Sequence, residues 1–410
     1  MTGYEPKTDS SLAGEGKNSG GTARHIKSAP GSTATMLINI KSKTREELQA
    51  QLSQWDQPSY RAAQVLGWVY GRGVLDWEAM TNLPQELRDR LRTHYTLRGL
   101  ELVRRQGSRD TTQKFLWRLE DHALIESVLI PANPALYGDP SDRYTLCVST
   151  QVGCAYGCKF CASGLEGFKR NLRVEEIVEQ VLAVERENAE RAMATDPDMP
   201  LEPPPTARSR VVGNLVIMRM GEPLANYDNL LKALKILNAP WGRGLGARKI
   251  TISTSGLVPE IRRLAEEPLQ FRLAISLHGA TDEIRGKIMP INRKYPLREL
   301  AAACEYYLQR RGRMITFEYI LIAGVNDDPA QAQPLAVLAR RLNAKVNLIP
   351  YNQVEGLPWE RPSEQAQEAF LAALDERKVK ATLRREKGHD IDAACGQLRL
   401  KTERELAGRA

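Results

Sequence analysis

Four of the chain's six cysteines fall within "CVSTQVGCAYGCKFC", residues 147 to 161. Cys154, Cys158 and Cys161 are spaced C-x3-C-x2-C, with Cys147 seven residues upstream. Three thiolates this close can converge on one centre if the backbone wraps around it, and Gly153, Gly157 and Gly164 lend the loop that freedom. Structural zinc needs four ligands. No histidine lies between His122 and His278, and Cys147 is out of phase with the loop, so a fourth local donor is lacking. A four-iron cluster held by three cysteines instead leaves one iron open to a substrate or cofactor. An incomplete ligand set is a defect for zinc and a requirement for that chemistry.

Two further cysteines could react. Cys147 sits in the strand-like run "YTLCVST", where a buried packing thiol is the plainer reading. Cys395 stands in "DIDAACGQL", downstream of Arg384, Arg385 and Lys387. That polar, electropositive setting suits a nucleophile, although a small core residue would look the same. Cys304, in the apolar helical run "AAACEYYLQ", is given no role. Short polar motifs follow other strand-like runs: "GEPL" with Gly221 and Glu222, "STSG" with Ser253, "SLHG" with Ser276 and His278, and "PYN" with Asn352. Singly each is an ordinary turn. Together they recur at strand ends.

The elements that must position these groups alternate from residue 144 onward. Strand candidates are "YTLCVST", "VGNLVIM", "KITIS", "RLAISL", "ITFEYIL" and "KVNLIP"; helical spacing marks "VEEIVEQVLAVE", "YDNLLKALKIL", "LRELAAACEYYLQ", "AQPLAVLARRL" and "EQAQEAFLAAL". Six strands alternating with helices predict an α/β fold with a parallel sheet in a partial (βα)6 barrel. Such barrels carry chemistry at the C-terminal ends of their strands, and the first strand runs straight into the cysteine cluster. Residues 1–35, rich in Gly, Ser and Thr, read as a disordered tail. Residues 36–97 read as a small helical accessory domain, with Pro84 in a first helical turn, and 98–142 as a β-rich connection. The barrel with its C-terminal cysteine loop takes 143–398, and 399–410 is left as a tail. Prolines between 190 and 210 predict a long exposed loop.

The net charge of +8 and a pI near 9.1 favour a polyanionic partner, although a mildly basic enzyme is nearly as ordinary. No run of about 18 apolar residues and no charged-then-apolar leader is present, so the protein reads as soluble, unexported and cytoplasmic. Basic residues suited to phosphate contact include Arg104, Arg105, Arg109, Lys169, Arg170, Arg384 and Arg385.

The cysteine triplet after a first barrel strand resembles the radical S-adenosylmethionine (SAM) enzymes. "CVSTQVGCAYGCKFC", "GFKRNL", "GEPL", "STSG", "SLHG", "PINRKYPL", "NLIPYN" and "DIDAACGQL" then appear in the order of the RlmN/Cfr family of RNA methyltransferases, a resemblance running from about residue 40 to 398. It implies a [4Fe-4S] cluster on Cys154, Cys158 and Cys161, and a SAM site of Gly221, Glu222, Ser253, Ser276, Leu277, His278 and Asn352. It implies two SAM molecules per turnover: one methylates Cys395, and a second, cleaved at the cluster, yields a radical that takes hydrogen from that methyl. The resulting methylene radical adds to adenine C2, and Cys147 attacks the Cys395 sulfur to release the product, leaving a disulfide. Glu126, in "LIESVLIP", matches the family's proposed proton acceptor. The helical module would help hold RNA.

Family members act on 23S rRNA in the peptidyl-transferase centre and on the tRNA adenosine 3′ of the anticodon. The expected partners are therefore these RNAs, a flavodoxin- or ferredoxin-type electron donor and a thiol reductant, with no membrane. Alternatives are the adenine-C8 chemistry of the resistance-associated branch and a zinc-stabilised RNA-binding protein without catalysis. The chain departs from the family pattern at Arg219, where glycine is usual, in the proline-rich loop around 195–209 and in its long N-terminal tail. Arg219 would crowd or recharge the end of the second strand.

Overall fold

The computed structural model describes residues 37–132, 144–195, 210–384 and 396–408. The expected tail 1–35, the prolines of the long loop, Arg385, Lys387 and Cys395 lie outside the described residues.

One sheet of ten strands organises the chain. Its strands are β1 (Glu101–Gly107), β2 (Gln113–Arg118), β3 (Leu124–Pro131), β4 (Tyr144–Val148), β5 (Val212–Ile217), β6 (Ile250–Thr254), β7 (Arg272–Ser276), β8 (Thr316–Leu321), β9 (Lys345–Pro350) and β10 (Ala381–Leu383). They neighbour one another in chain order. β1 to β4 form an antiparallel meander, and every pairing from β4 to β10 is parallel. Parallel strands covered by helices are apolar on both faces, which is why runs such as "NLVI" and "RLAIS" were recognisable.

The sheet extends the expected six parallel strands by a seventh, β10, too short at three residues to show a pattern. The β-rich connection joins the same sheet: β3 pairs with β4, Val128 opposite Cys147.

The helices that follow the strands include the five that helical spacing marked, together with "VPEIRRLAE" and "DEIRGKI", which it did not. They are α4 (Val174–Thr195) after β4, α5 (Tyr227–Asn238) after β5, α6 (Val258–Glu266) after β6, α7 (Asp282–Ile288) and α8 (Leu297–Arg311) after β7, α9 (Ala332–Arg341) after β8 and α10 (Glu364–Glu376) after β9. α4 runs on through "ERAMAT", where good helix formers precede the first proline, so residues 190–195, expected as loop, are helical. Residues expected as a C-terminal tail form α11 (Gln397–Ala407).

The N-terminal helices are α1 (Arg45–Ser53), α2 (Tyr60–Leu66) and α3 (Gln85–His94). Thr44 and Glu47 cap α1 reciprocally. Pro84 directly precedes α3. This segment shares one continuous apolar core with the sheet, from Ile40 to Leu400. A buried ion pair ties the two: Lys41 Nζ lies 2.7 Å from Glu179 on α4 and donates to the carbonyls of Leu97 and Arg98, each at 3.0 Å. Removing one partner of such a pair strands a charge in the interior. Lys41→Met should therefore cost about 3 kcal/mol of stability, read as a lower urea midpoint with an unchanged slope.

Candidate active site

The parallel strands deliver their carboxyl ends to one cavity of about 300 Å³, at the lower end of the size that holds a small molecule. Cys147, Cys154, Cys158, Cys161, Gly221, Glu222, Ser253, Ser276, His278 and Asn352 all line it. Leu277 is fully buried behind the wall, where its N–H donates to the Glu318 carbonyl at 3.0 Å. Glu126 is fully buried on β3 with both oxygens engaged by other residues, and it does not line the cavity.

The cysteine loop is built from β4 outward. Gln151–Gly153 pairs with Phe168–Asn171 as a short hairpin, and Cys154 N–H donates to Gly167 O at 3.1 Å. Among the three loop glycines, only Gly153 has a positive φ, +75°. Burial pushes the Cys154 thiol up to about 12 and the Cys158 thiol well above its usual value. A bound cationic centre would offset that burial and hold them as thiolates.

Sequence reasoning missed Gln151. Its Oε1 accepts from Ala155 N at 3.2 Å and from Glu222 N at 3.0 Å, so one side chain joins the cysteine loop to "GEPL". A Cβ on Gly221 (φ +97°) would lie 2.5 Å from Gln151 Cβ, which explains the glycine. Glu222 in turn accepts from Ser255 N at 2.7 Å and Leu224 N at 3.1 Å, while burial raises its carboxyl above the ordinary range.

Arg285 was also missed. It is fully buried and holds Leu277 O, Asn292 Oδ1 and Ser255 O at 3.1, 2.9 and 2.5 Å. Asn292 belongs to "PINRKYPL", so that motif serves to anchor the arginine. No spacing rule would have paired them.

His278 has φ +56°, and its Nδ1 accepts from Ile320 N at 3.0 Å. Its proton therefore sits on Nε2. Burial, with Arg285 nearby, pushes its pKa down to about 3. The ring is a neutral donor at any ordinary pH. Phe160, beside Cys161, meets it edge-on at 5.0 Å.

Among the basic candidates, Arg104 is paired with Glu405 at 2.6 Å, and Arg170 with Asp121 at 2.6 Å and Glu176 at 2.8 Å. Arg384 lines the cavity. Arg219 lines it too, and its guanidinium contacts Glu126.

The residues suit the cofactors their motifs imply. Cys154, Cys158 and Cys161 all face one cavity, the donor set of a cluster held by three thiolates. On the far wall the buried Asn352 Oδ1 finds no hydrogen-bond partner among the described residues, as a group awaiting a polar ligand would.

The superfamily model for radical SAM proteins matches residues 148–332, and the model of the ribosomal RNA large subunit methyltransferase N-terminal domain matches 38–97. A probable dual-specificity RNA methyltransferase RlmN 3 of Opitutus terrae is 54% identical over 367 residues, covering 89% of this chain and 95% of its own. The RlmN of Akkermansia muciniphila, described in the same words, is 50% identical over 370 residues, 90% of this chain and 98% of that one. A crystal structure of a radical SAM methyltransferase from Sphaerobacter thermophilus matches with TM-score 0.78 at 43% identity, covering 88% of this chain and 98% of that one.

The chain belongs to the RlmN family of radical SAM methyltransferases. The family brings a [4Fe-4S] cluster and SAM, for which the cavity supplies the thiols and the polar wall. No helix among the described residues is long and apolar enough to cross a membrane.

Two outcomes follow from this wall. Gly221→Ala forces Gln151 aside and should raise the Kd for SAM by at least about ten-fold, the equivalent of one or two lost hydrogen bonds, measured by equilibrium binding to the reconstituted protein. His278 stays neutral when folded, so its contribution to stability is complete above the free-histidine pKa of about 6.5 and is lost as pH falls toward about 3. His278→Asn keeps the acceptor and tolerates the positive φ. Its urea midpoint should fall less between pH 7 and pH 4.5 than that of the wild type.

Proposed function

We propose that this SAM-dependent RNA methyltransferase of the RlmN family methylates C2 of adenosine in 23S rRNA, at the peptidyl-transferase centre, and in tRNA, at the adenosine 3′ of the anticodon. Both relatives named above carry the description "dual-specificity RNA methyltransferase", and the N-terminal match is to a ribosomal RNA methyltransferase domain. The observation that carries the reading is Cys147, a further thiol on the wall of the same cavity, one strand from the cluster loop. A cluster needs three cysteines; a methyl relay needs two more.

When bound, the cluster and SAM supply a carbon-centred radical, which an electron-poor ring carbon such as adenine C2 can accept where simple displacement fails. The chain's residues do the rest. Cys395 takes a methyl group from one SAM, forming a carbon–sulfur bond as S-adenosylhomocysteine leaves. A second SAM is spent in each turnover. After the methylene carbon has joined the base, the Cys147 thiolate attacks the Cys395 sulfur. That step forms a disulfide and breaks the sulfur–carbon bond to the product. A thiol reductant must then reopen the disulfide, and a flavodoxin- or ferredoxin-type donor must recharge the cluster. Gly221, Glu222, Ser253, Ser276, His278 and Asn352 orient SAM, with the Leu277 backbone behind them. The target adenosine must be unstacked to reach the cavity.

The test is an anaerobic incubation of the reconstituted enzyme with methyl-labelled SAM and unmodified 23S rRNA or tRNA, followed by nucleoside mass spectrometry. Label should appear in 2-methyladenosine and vanish with Cys395→Ala. Label in 8-methyladenosine would move the reading to the C8 branch. SAM cleavage that marks neither RNA would overturn the substrate assignment.

A further inference from the structure

Helix α11 starts immediately after Gly396, which has no side chain to cap it. Its first turn would leave unsatisfied N–H groups in the protein interior. Glu126 on β3 fills that role from outside the helix. Its Oε1 accepts from Arg399 N at 2.7 Å and its Oε2 from Gly396 N at 3.0 Å. These are the N3 and N-cap positions, so one carboxylate answers two exposed donors at the positive end of the helix dipole.

Two cations hold the carboxylate: Arg219 Nη2 at 2.5 Å and Lys114 Nζ at 3.4 Å, both on Oε2 and both nearly inaccessible to solvent. Burial alone would favour the protonated acid. The two cations and two N–H donors outweigh it and keep the carboxyl below its ordinary value. On its other side Gly396 (φ +82°) is pressed against the residue two places beyond Cys161: a Cβ there would stand 3.0 Å from Ser163 Cα, N and Oγ. The chain at Gly396 is thus clamped between β3 and the cysteine loop, one residue after Cys395.

We propose that Glu126, with Arg219 and Lys114, is a positioning residue that pins the start of α11, the helix that begins just after Cys395 in the chain. This adds a structural role to the proton-acceptor role that the family resemblance implies for Glu126: its carboxylate accepts from four donors, two of which, Lys114 and Arg219, line the cavity. It also gives Arg219 a function where the family has glycine: it supplies a second cation to the cap. The proposal rests on the functional reading only for the chemistry of Cys395.

Hydrogen exchange followed by mass spectrometry on the full-length holoenzyme tests it. Peptides covering 396–408 should exchange about ten-fold faster in Glu126→Gln, since loss of a charged cap is worth roughly 1–2 kcal/mol. Arg219→Gly should give a smaller acceleration confined to the same peptides, and Arg219→Lys should restore protection. Protection unchanged in Glu126→Gln and Arg219→Gly alike, with RNA methylation abolished only in the former, is the signature of a catalytic base and overturns the proposal. Exchange rising equally across β6 to β9 in the Arg219→Gly protein would show a general loss of stability and overturn it too. Wild-type enzyme that never carries methyl on Cys395 would sink the functional reading while leaving the exchange comparison intact.

Discussion

Seven neighbouring strands, β4 to β10, run the same way, and this constraint governs everything else in the protein. Parallel strands in chain order need a crossover after each one, so every carboxyl end emerges on the same edge. Five short motifs, the cysteine loop with "GEPL", "STSG", "SLHG" and "PYN", become one wall for that reason. The antiparallel meander adds its own contribution by pairing at β4: Val128 stands opposite Cys147, which seats Glu126 two residues further along β3. A strand register is a discrete choice, and a slip of one residue would turn Cys147 and Glu126 to opposite faces.

Around that edge the chain buries an unusual number of charged groups, and each is satisfied in a different way. Glu126 is held by cations and amides together, Arg285 by two carbonyls and an amide oxygen, and Glu222 by backbone N–H groups and neighbouring hydroxyls. The difference shows in their ionisation. Cations draw the Glu126 carboxyl down in spite of burial, whereas Glu222, without a cation beside it, is raised. An acid left in that condition gains most from a ligand that brings positive charge, which is what the ammonium of a methionine portion would offer.

The sequence made the parallel strands legible because burial on both faces leaves near-continuous apolar runs, and the cluster loop legible because three cysteines at fixed spacing have few other uses. Where the signal was short or non-local it failed. β10 has three residues, and α11 was passed over because "QLRLKTEREL" is strongly polar and its cap lies on another element. Gln151 and Arg285 were invisible for the same reason: their partners, Ala155 and Glu222 for one, Ser255, Leu277 and Asn292 for the other, are joined by the fold and not by spacing.

Arg219 shows how a local reading of a sequence can misjudge a substitution. Next to "GEPL" an arginine in place of glycine looks like an intrusion upon SAM. In the fold the two residues meet different partners: Gly221 approaches Gln151, while the Arg219 guanidinium reaches back to Glu126. A lone buried cation there would be costly. A buried carboxylate already paired with Lys114 and two amides can accept a further donor, so the arginine's charge is accommodated. Arg219 therefore both lines the cavity and anchors the Glu126 carboxylate that caps α11.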